Sequence, residues 1–454
     1  MSADGLLDAV RSIAGRAEGG EALEAWASHE REFEVKVHGG EVESISVSEP
    51  RGIGVRIIDD GRMGFSFTTD LTEGGVDAVL AAARSNARWT TPDECARIGT
   101  ISAAGTDPSL LLLTSPAFGD ATPADKVSLA LELERAARAL DPRVRTVEDA
   151  VYADTDTSLA IATSAGAEGS FRRTDAWCYV VAIATEGDDT EVAFDFDLAR
   201  ALDGLDPADV AARAVAKAVG VLGAHKIPSA RMPVIFDPYT AAQFLGVLGN
   251  AITAEAVQKG RSLFAGKEGE AVAAASLSLI DDGRVPGAPG SAPWDAEGVP
   301  TTRTVVIEAG RLNSFLYDST TACRAGRDST GNAARAGFKS APKPSATNLT
   351  IESTGHSRAD VLAAAGARAF LVQDFHGVHS GANPISGDFS VGATGRLVSG
   401  GEVGEAVKEV TIAAPMLEIL CGIEAVADDL RWLPFGGSYG GATTLIAEMT
   451  VAGS

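Results

Sequence analysis

Apolar and polar positions follow two rhythms along this chain. Leu6, Leu7, Val10, Ile13 and Ala14 recur at helical spacing, which predicts a helix over 3–29. Residues 31–69 then switch to period two and predict about four short strands. Gly39-Gly40 and Asp60-Gly61 fall where hairpin turns are needed. Val76, Val79, Leu80 and Ala83 return to helical spacing. A connector bearing Pro and Thr over 88–120 leads to a second unit of the same order. Thr122 and Pro123 open a predicted helix over 122–140 as N-cap and first helical residue. An antiparallel meander is predicted over 145–198, and a helix over 207–223.

The pattern changes near residue 230. RMPVIFDP predicts a strand, and 239–259 a single helix ended by Gly260. Beyond it come short strands and Gly/Pro turns. FLVQDFHGVHSG reads as a strand, GDFSVGATGRLVSGGEVGEAVKEVTIAAP as a hairpin, PMLEILCGIEAVADDL as a helix and ATTLIAEMTV as a closing strand. The fold class this predicts is α+β. An N-terminal mixed α/β region of helices and antiparallel meanders, divided as 1–115 and 116–228, precedes a strand-rich C-terminal domain over 229–454.

Composition narrows the function. The chain has 454 residues and a formal charge of −24. Nucleic-acid binding depends on Lys and Arg neutralising phosphates, so general DNA or RNA binding is excluded, as is attraction to anionic membranes. No basic n-region or long apolar run appears, so a cytoplasmic protein without a membrane span is expected. Cys95, Cys178, Cys323 and Cys421 are far apart with no CxxC pair, and are expected to be buried free thiols.

Few motifs carry chemistry. The stretch 379–395, HSGANPISGDFSVGATG, is a Gly-punctuated polar loop. Its Asn383, Ser386 and Asp388, with His376 and His379 on the strand leading in, are the candidate contacts to a substrate or partner. A metal shared by His376 and His379, with Asp374 or Asp388, needs a bulge or turn, because i and i+3 on a strand point to opposite faces. Lys267 follows a glycine but is followed by Glu268, which fails the phosphate-loop pattern. Gly436-Gly437-Ser438-Tyr439-Gly440 overlaps a nucleophile-elbow spacing but lacks the strand-to-helix context. The only His-Glu pair is His29-Glu30, with no second His at zinc-site spacing.

The 379–395 loop, GEAVKEVTIAAPMLEIL, RMPVIFDPYTAAQFLGVLGNAI and GRSLFAGKEGE together resemble the TldD/PmbA (TldE) family. FEVKVHGGEVESISVSEPRGIGVRIIDDGRMGFSFTT is similar to its first domain. This family, once called modulators of DNA gyrase, is regarded as metallopeptidases. The resemblance implies two branches that pair. One carries a zinc helix of the form HExxxH, and the TldE/PmbA branch lacks it. Here the corresponding positions are Gly246, Val247 and Ala251, none of which can bind zinc or act as a base. The expectation is therefore a subunit with no metal or cofactor of its own and a degenerate metallopeptidase domain. Its partner would be an HExxxH subunit holding zinc, and the pair would trim or degrade extended peptides, as in peptide-antibiotic maturation. The alternatives are a homodimeric peptide-binding scaffold without catalysis, and a rearranged metal site at His376 and His379.

Overall fold

The structure is a computed structural model, which describes residues 3–99, 107–433 and 437–453. The first half comprises α1 (Ala3–Ala14), β1 (Ala22–His38), β2 (Glu41–Ser48), β3 (Arg51–Asp59), β4 (Arg62–Thr68) and α2 (Glu73–Ala87). After the connector come α3 (Pro123–Leu140), β5 (Val144–Thr163), β6 (Glu168–Glu186), β7 (Asp189–Ala199) and α4 (Pro207–Gly220). All seven strands form one antiparallel sheet in the order β4-β3-β1-β5-β6-β7, with β2 paired to the far half of β1.

Most of these elements follow the pattern read from the sequence. Thr122 caps α3 in a capping box with Asp125, and Pro123 is its first residue. The helix predicted over 3–29 stops at Ala14 instead. Gly19 and Gly20 take positive φ angles there, and Leu23–His29 becomes a buried stretch of β1 held between β3 and β5. Pairing on both sides overrides the local helical spacing.

Alternation along the strands separates the two faces of the sheet. Leu23, Ala25 and Ala27 pack under α1 and α2, while Val35 and Val37 pack under α3 and α4. All four helices therefore cover one face. The opposite face carries Glu24, Trp26 and Glu30 on β1 and turns toward the C-terminal region.

That region contains β8 (Ala230–Phe236), α5 (Pro238–Ala251), α6 (Ala254–Gln258), β9 (Leu279–Asp282), β10 (Arg303–Glu308), β11 (Arg311–Leu312) and α7 (Ser319–Ala325). Next come β12 (Ala333–Ala334), β13 (Lys343–Pro344), β14 (Leu349–Ile351), α8 (Arg358–Ala364), β15 (Ala369–His376) and α9 (Val378–Gly381). The chain closes with β16 (Asp388–Ser399), β17 (Glu402–Pro415), α10 (Met416–Cys421), β18 (Ile423–Val426), β19 (Arg431–Leu433), β20 (Tyr439–Gly441) and β21 (Thr444–Ala452). Two six-stranded sheets, β17-β16-β15-β8-β21-β18 and β11-β10-β9-β14-β20-β19, enclose α5. In the first, β17 also pairs with β21, so that sheet closes on itself. The fold is α+β with a strand-rich C-terminal region.

Three readings need correction here. The helix expected over 239–259 is broken into α5 and α6, because Ile252 and Ala254 exchange backbone hydrogen bonds with Leu316. The helix expected from Pro415 ends at Cys421, and Ile423–Val426 pairs with β21. Cys95 and Cys323 form a disulfide, with Cα atoms 5.5 Å apart, that ties the connector to α7. Only Cys178 and Cys421 are free, and Cys421 is exposed. A pairing across 228 residues leaves no trace in local spacing.

Buried charges join the two halves. Arg56 on β3 bonds Glu24 on β1 at 2.6 Å and Glu297 of the C-terminal region at 2.9 Å. Arg335 takes the other oxygen of Glu24, and Glu297 also accepts the backbone N–H of Ser319 at 2.8 Å. Burial acts to raise the Glu24 carboxyl, but Arg56 and Arg335 outweigh it and hold it below its ordinary value. A second tie centres on Asp195 of β7. It accepts from Arg213 and Lys217 of α4 and from Arg431 of β19 at 3.0, 2.9 and 2.7 Å.

Replacing Arg56 by Ala leaves two carboxylates buried without their shared cation. The expected loss is about 3–5 kcal/mol in urea unfolding. A loss below about 1 kcal/mol would show that the site is easily rehydrated. Asp195 gives a pH signature. Burial opposes ionisation, yet Lys217, Arg431 and Arg213 hold its carboxyl below the ordinary 3.8. A depressed carboxyl stabilises the fold above its unfolded value, and that contribution fades as pH falls below it. Thermal melts between neutrality and about pH 3 should therefore show a shallower acid limb in Asp195→Asn than in the native chain.

Candidate functional site

Helix α5 begins where Asp237 caps it, its carboxylate accepting the Thr240 N–H at 2.9 Å, with Pro238 as the first helical residue. Its sequence, PYTAAQFLGVLGNA, supplies no His, Cys, Asp or Glu. Gly246 and Val247 are half-buried, and Ala251 is buried. Val247 packs against the main apolar core. The Asn250 amide turns back to donate to the Gly246 carbonyl at 3.1 Å.

The face bearing Gly246 and Gly249 is covered by the ring of Tyr439 from β20. A Cβ at Gly249 would stand 2.9 Å from that ring, and one at Gly246 3.5 Å. Neighbouring glycines allow the approach. Gly437 takes a φ of +148°, and a Cβ at Gly441 would lie 2.0 Å from the Pro238 carbonyl. Burial, then nearby Asp281, raises the Tyr439 phenol above its ordinary value. Zinc needs His, Cys or acidic donors in a tetrahedral set, and this helix face offers an aromatic ring against glycines. The residues present do not fit a zinc ion here. Among the described residues, no group of three or more His, Cys, Asp or Glu is placed to hold a metal.

The 376–395 loop adjoins this helix. Phe389 meets Phe244 of α5 edge-on at 5.5 Å, and Phe375 meets Phe236 at 5.2 Å. The Pro384 carbonyl accepts the Leu263 N–H at 3.0 Å, and Gly387 accepts from Met416 at 2.7 Å. The candidate residues separate into two groups. Asn383, Ser386 and Asp388 close a turn upon themselves. The Asn383 side-chain Oδ1 accepts the Ile385 and Ser386 N–H groups, and the Ser386 hydroxyl donates to Asp388 at 2.7 Å. Asp388 also opens onto a hollow of about 410 Å³ shared with Arg231 and Glu418.

His376 ends β15 and meets the Thr394 hydroxyl at 2.9 Å, with Asp374 3.9 Å from its other ring nitrogen. Burial raises the Asp374 carboxyl, against the pull of His376. His379 does not continue the strand. Gly377 turns left-handed at φ +73°, and His379 sits exposed on the single turn α9. The loop thus presents polar groups on a frame of tight turns, and His376 and His379 lie on different elements.

Sequence reading missed Tyr439. The only signal was the density of glycines around it, in a stretch whose elbow-like spacing lacks the strand-to-helix context. Ser438 in that stretch is buried, and its hydroxyl donates to Asn348 at 2.7 Å. It also missed Asp281, a fully buried carboxylate that collects Asn332 at 2.6 Å and both the N–H and hydroxyl of Thr347.

The Tyr439 contact can be tested by a double-mutant cycle. Gly249→Ala forces a methyl into the ring and should destabilise the fold by about 1–3 kcal/mol in urea unfolding. In a Tyr439→Ala background the same change should have almost no effect. Equal effects in both backgrounds would show that the ring does not close this face.

Comparison with known proteins follows the same outline. Three family profiles match in order along the chain. They are PmbA/TldA metallopeptidase domain 1 over 24–87, the central domain over 116–222 and the C-terminal domain over 229–453. The metalloprotease PmbA of Escherichia coli O157:H7 is 26% identical over 446 residues, covering 98% of this chain and 94% of that protein. A Thermotoga maritima protein described as a modulator of DNA gyrase superposes with a TM-score of 0.87 at 26% identity, covering 95% of this chain and 96% of that one. TldE from Thermococcus kodakarensis shares the fold, with a TM-score of 0.84 at 23% identity and 99% coverage of both chains. The chain belongs to the PmbA/TldD metallopeptidase family.

Proposed function

We infer that this chain is the subunit without zinc in a two-subunit peptidase, paired with a TldD-type protein that carries HExxxH. The observation that carries the reading is the α5 face, where Tyr439 closes over Gly246 and Gly249 and no ligand or general base is present. Membership of a metallopeptidase family supports a role in proteolysis, and relatives along nearly the whole chain are named metalloproteases. In this reading the partner supplies the zinc and the reaction, while this subunit contributes cavity walls and holds the substrate. Extended peptides, including peptide-antibiotic precursors, are the substrate class.

Localisation in the cytoplasm belongs to the same proposal. No helix among the described residues is long and apolar enough to cross a membrane. The charge of −24 opposes nucleic acid as the ligand.

The test is reconstitution. Purified alone, the chain should hold less than about one-tenth of an equivalent of zinc and leave an unstructured peptide uncut. Mixed with a TldD-type partner, it should form a stable complex that carries zinc and cleaves. Stoichiometric zinc with cleavage by the lone chain would overturn the proposal. Peptide binding without cleavage, whatever partner is added, would favour a homodimeric scaffold instead.

A further inference from the structure

The sheet face that looks away from the four helices meets the loops of the C-terminal region across a cavity of about 670 Å³. That size suits a substantial ligand, since binding pockets commonly run to ~300–1,000 Å³. Strand register arranges its wall in rows. Glu30 of β1 lies opposite Thr157 of β5, which lies opposite Arg173 of β6. The next row is Glu32, Thr155 and Asp175. Trp177 continues the β6 column, and Trp294 and Arg335 face it from the C-terminal side.

Two features of this wall stand out against the rest of the molecule. The first is aromatic. Only 6% of the chain is aromatic and it has five tryptophans, yet Trp26, Trp177 and Trp294 all line this one cavity. Phe171 meets Trp294 edge-on at 4.8 Å. The second is charge. Both cations on the wall already have carboxylates. Arg173 bonds Asp175 at 2.8 Å, and Arg335 bonds Glu24. Glu30 forms no ion pair among the described residues, and Arg173, two strands away in the same row, acts on it only through space. Among the described residues, Glu32 accepts only the Ser48 hydroxyl, at 2.5 Å. Burial, and then the charge of Glu32, raise the Glu30 carboxyl above its ordinary value against the weaker opposing pull of Arg173 and His29. Among the described residues neither carboxylate has a cation in direct contact, and both line the same cavity as the aromatic rings.

We propose that this cleft binds a basic residue of an extended peptide, with its guanidinium or ammonium against Glu30 and Glu32 and its flanking apolar side chains against Trp177 and the Phe171–Trp294 pair. The inference rests on the reading of this chain as a peptide-holding subunit and places a specificity site within it. A cation between the two carboxylates removes their mutual repulsion and gains charge-assisted hydrogen bonds. The aliphatic stem of Lys or Arg packs on aromatic rings while its head stays polar. A neutral residue at the same point gains neither effect.

The experiment is calorimetric titration of the whole chain, without a partner, at low ionic strength. The probes are acetyl-Ala-Leu-Arg-Leu-Ala-amide, the same peptide with Gln for Arg, and spermidine. Blocked termini leave the side-chain cation as the only difference between the peptides. The Arg peptide should bind at least tenfold more tightly than the Gln peptide and than spermidine. In Glu30→Gln/Glu32→Gln the two peptides should bind alike, and Trp177→Ala should weaken both. Equal binding of the two peptides to the native chain would overturn the proposal, as would a tenfold preference that survives in the double Gln variant. Spermidine binding as tightly as the Arg peptide would overturn the peptide as occupant. Should the double variant fail to fold, the native chain's Arg-to-Gln ratio still decides. Because no cleavage is measured, failure here leaves the peptidase reading intact. A partner complex that cuts nothing while the Arg peptide binds would count against that reading alone.

Discussion

Arg56 is the hinge of the architecture. Its guanidinium lies between Glu24 of its own sheet and Glu297 of the C-terminal region, and all three side chains are almost wholly excluded from solvent. Arg335 completes a set of two cations and two anions. Buried charge is tolerable only when paired and hydrogen-bonded, so the geometry of this cluster fixes how the two halves meet. Its directionality complements the apolar contacts, which would permit sliding. Around it, the Asp195 cluster and the Lys408 pairs with Asp189 and Glu191 tie the far end of the same sheet to β17 and β19. The interdomain cavity lies between the sheet face and the C-terminal loops that these ties join.

The enclosed helix shows how a helix face of glycines is packed in the core. A face carrying Gly246 and Gly249 has no side chains to fill the space before it, and a void there would forfeit contacts. Tyr439 fills it. The run of glycines at 437–441 lets β20 approach α5 closely enough for the ring to seat. The glycine face is thus closed by packing, and the helix is a core element with Phe244, Leu245 and Leu248 buried.

Legibility from sequence followed the range of the interactions involved. Hairpins at Gly39-Gly40 and Asp60-Gly61 were readable, because turn geometry needs positive φ there, and so was the Thr122–Pro123 start of α3. The same held for the paired strands β16 and β17. Readings failed where a distant partner intervened. Residues 22–29 were helical by spacing but became a strand under pressure from β3 and β5. The helix from 239 broke where Leu316 captured its backbone. Cys95 and Cys323 were read as free because their meeting depends on the seam between halves. In the candidate loop, the Asn383–Asp388 turn is local chemistry that the residues announce. The placing of His376 on β15 and His379 on α9 arises from the left-handed turn at Gly377.

By itself, the amino-acid sequence determined the period of each element, the turns, the family likeness and the absence of zinc ligands on the helix at 246–251. These depend on residue identity and on contacts a few positions apart. Tertiary structure alone decided that the two N-terminal meanders share one sheet and that Tyr439 covers the ligand-free face. It also decided that Glu30 and Glu32 share one cavity with three tryptophans and form no direct ion pair among the described residues. Those outcomes depend on which strands pair and which surfaces meet across hundreds of residues. Long-range packing energy sets that choice, and no local pattern encodes it.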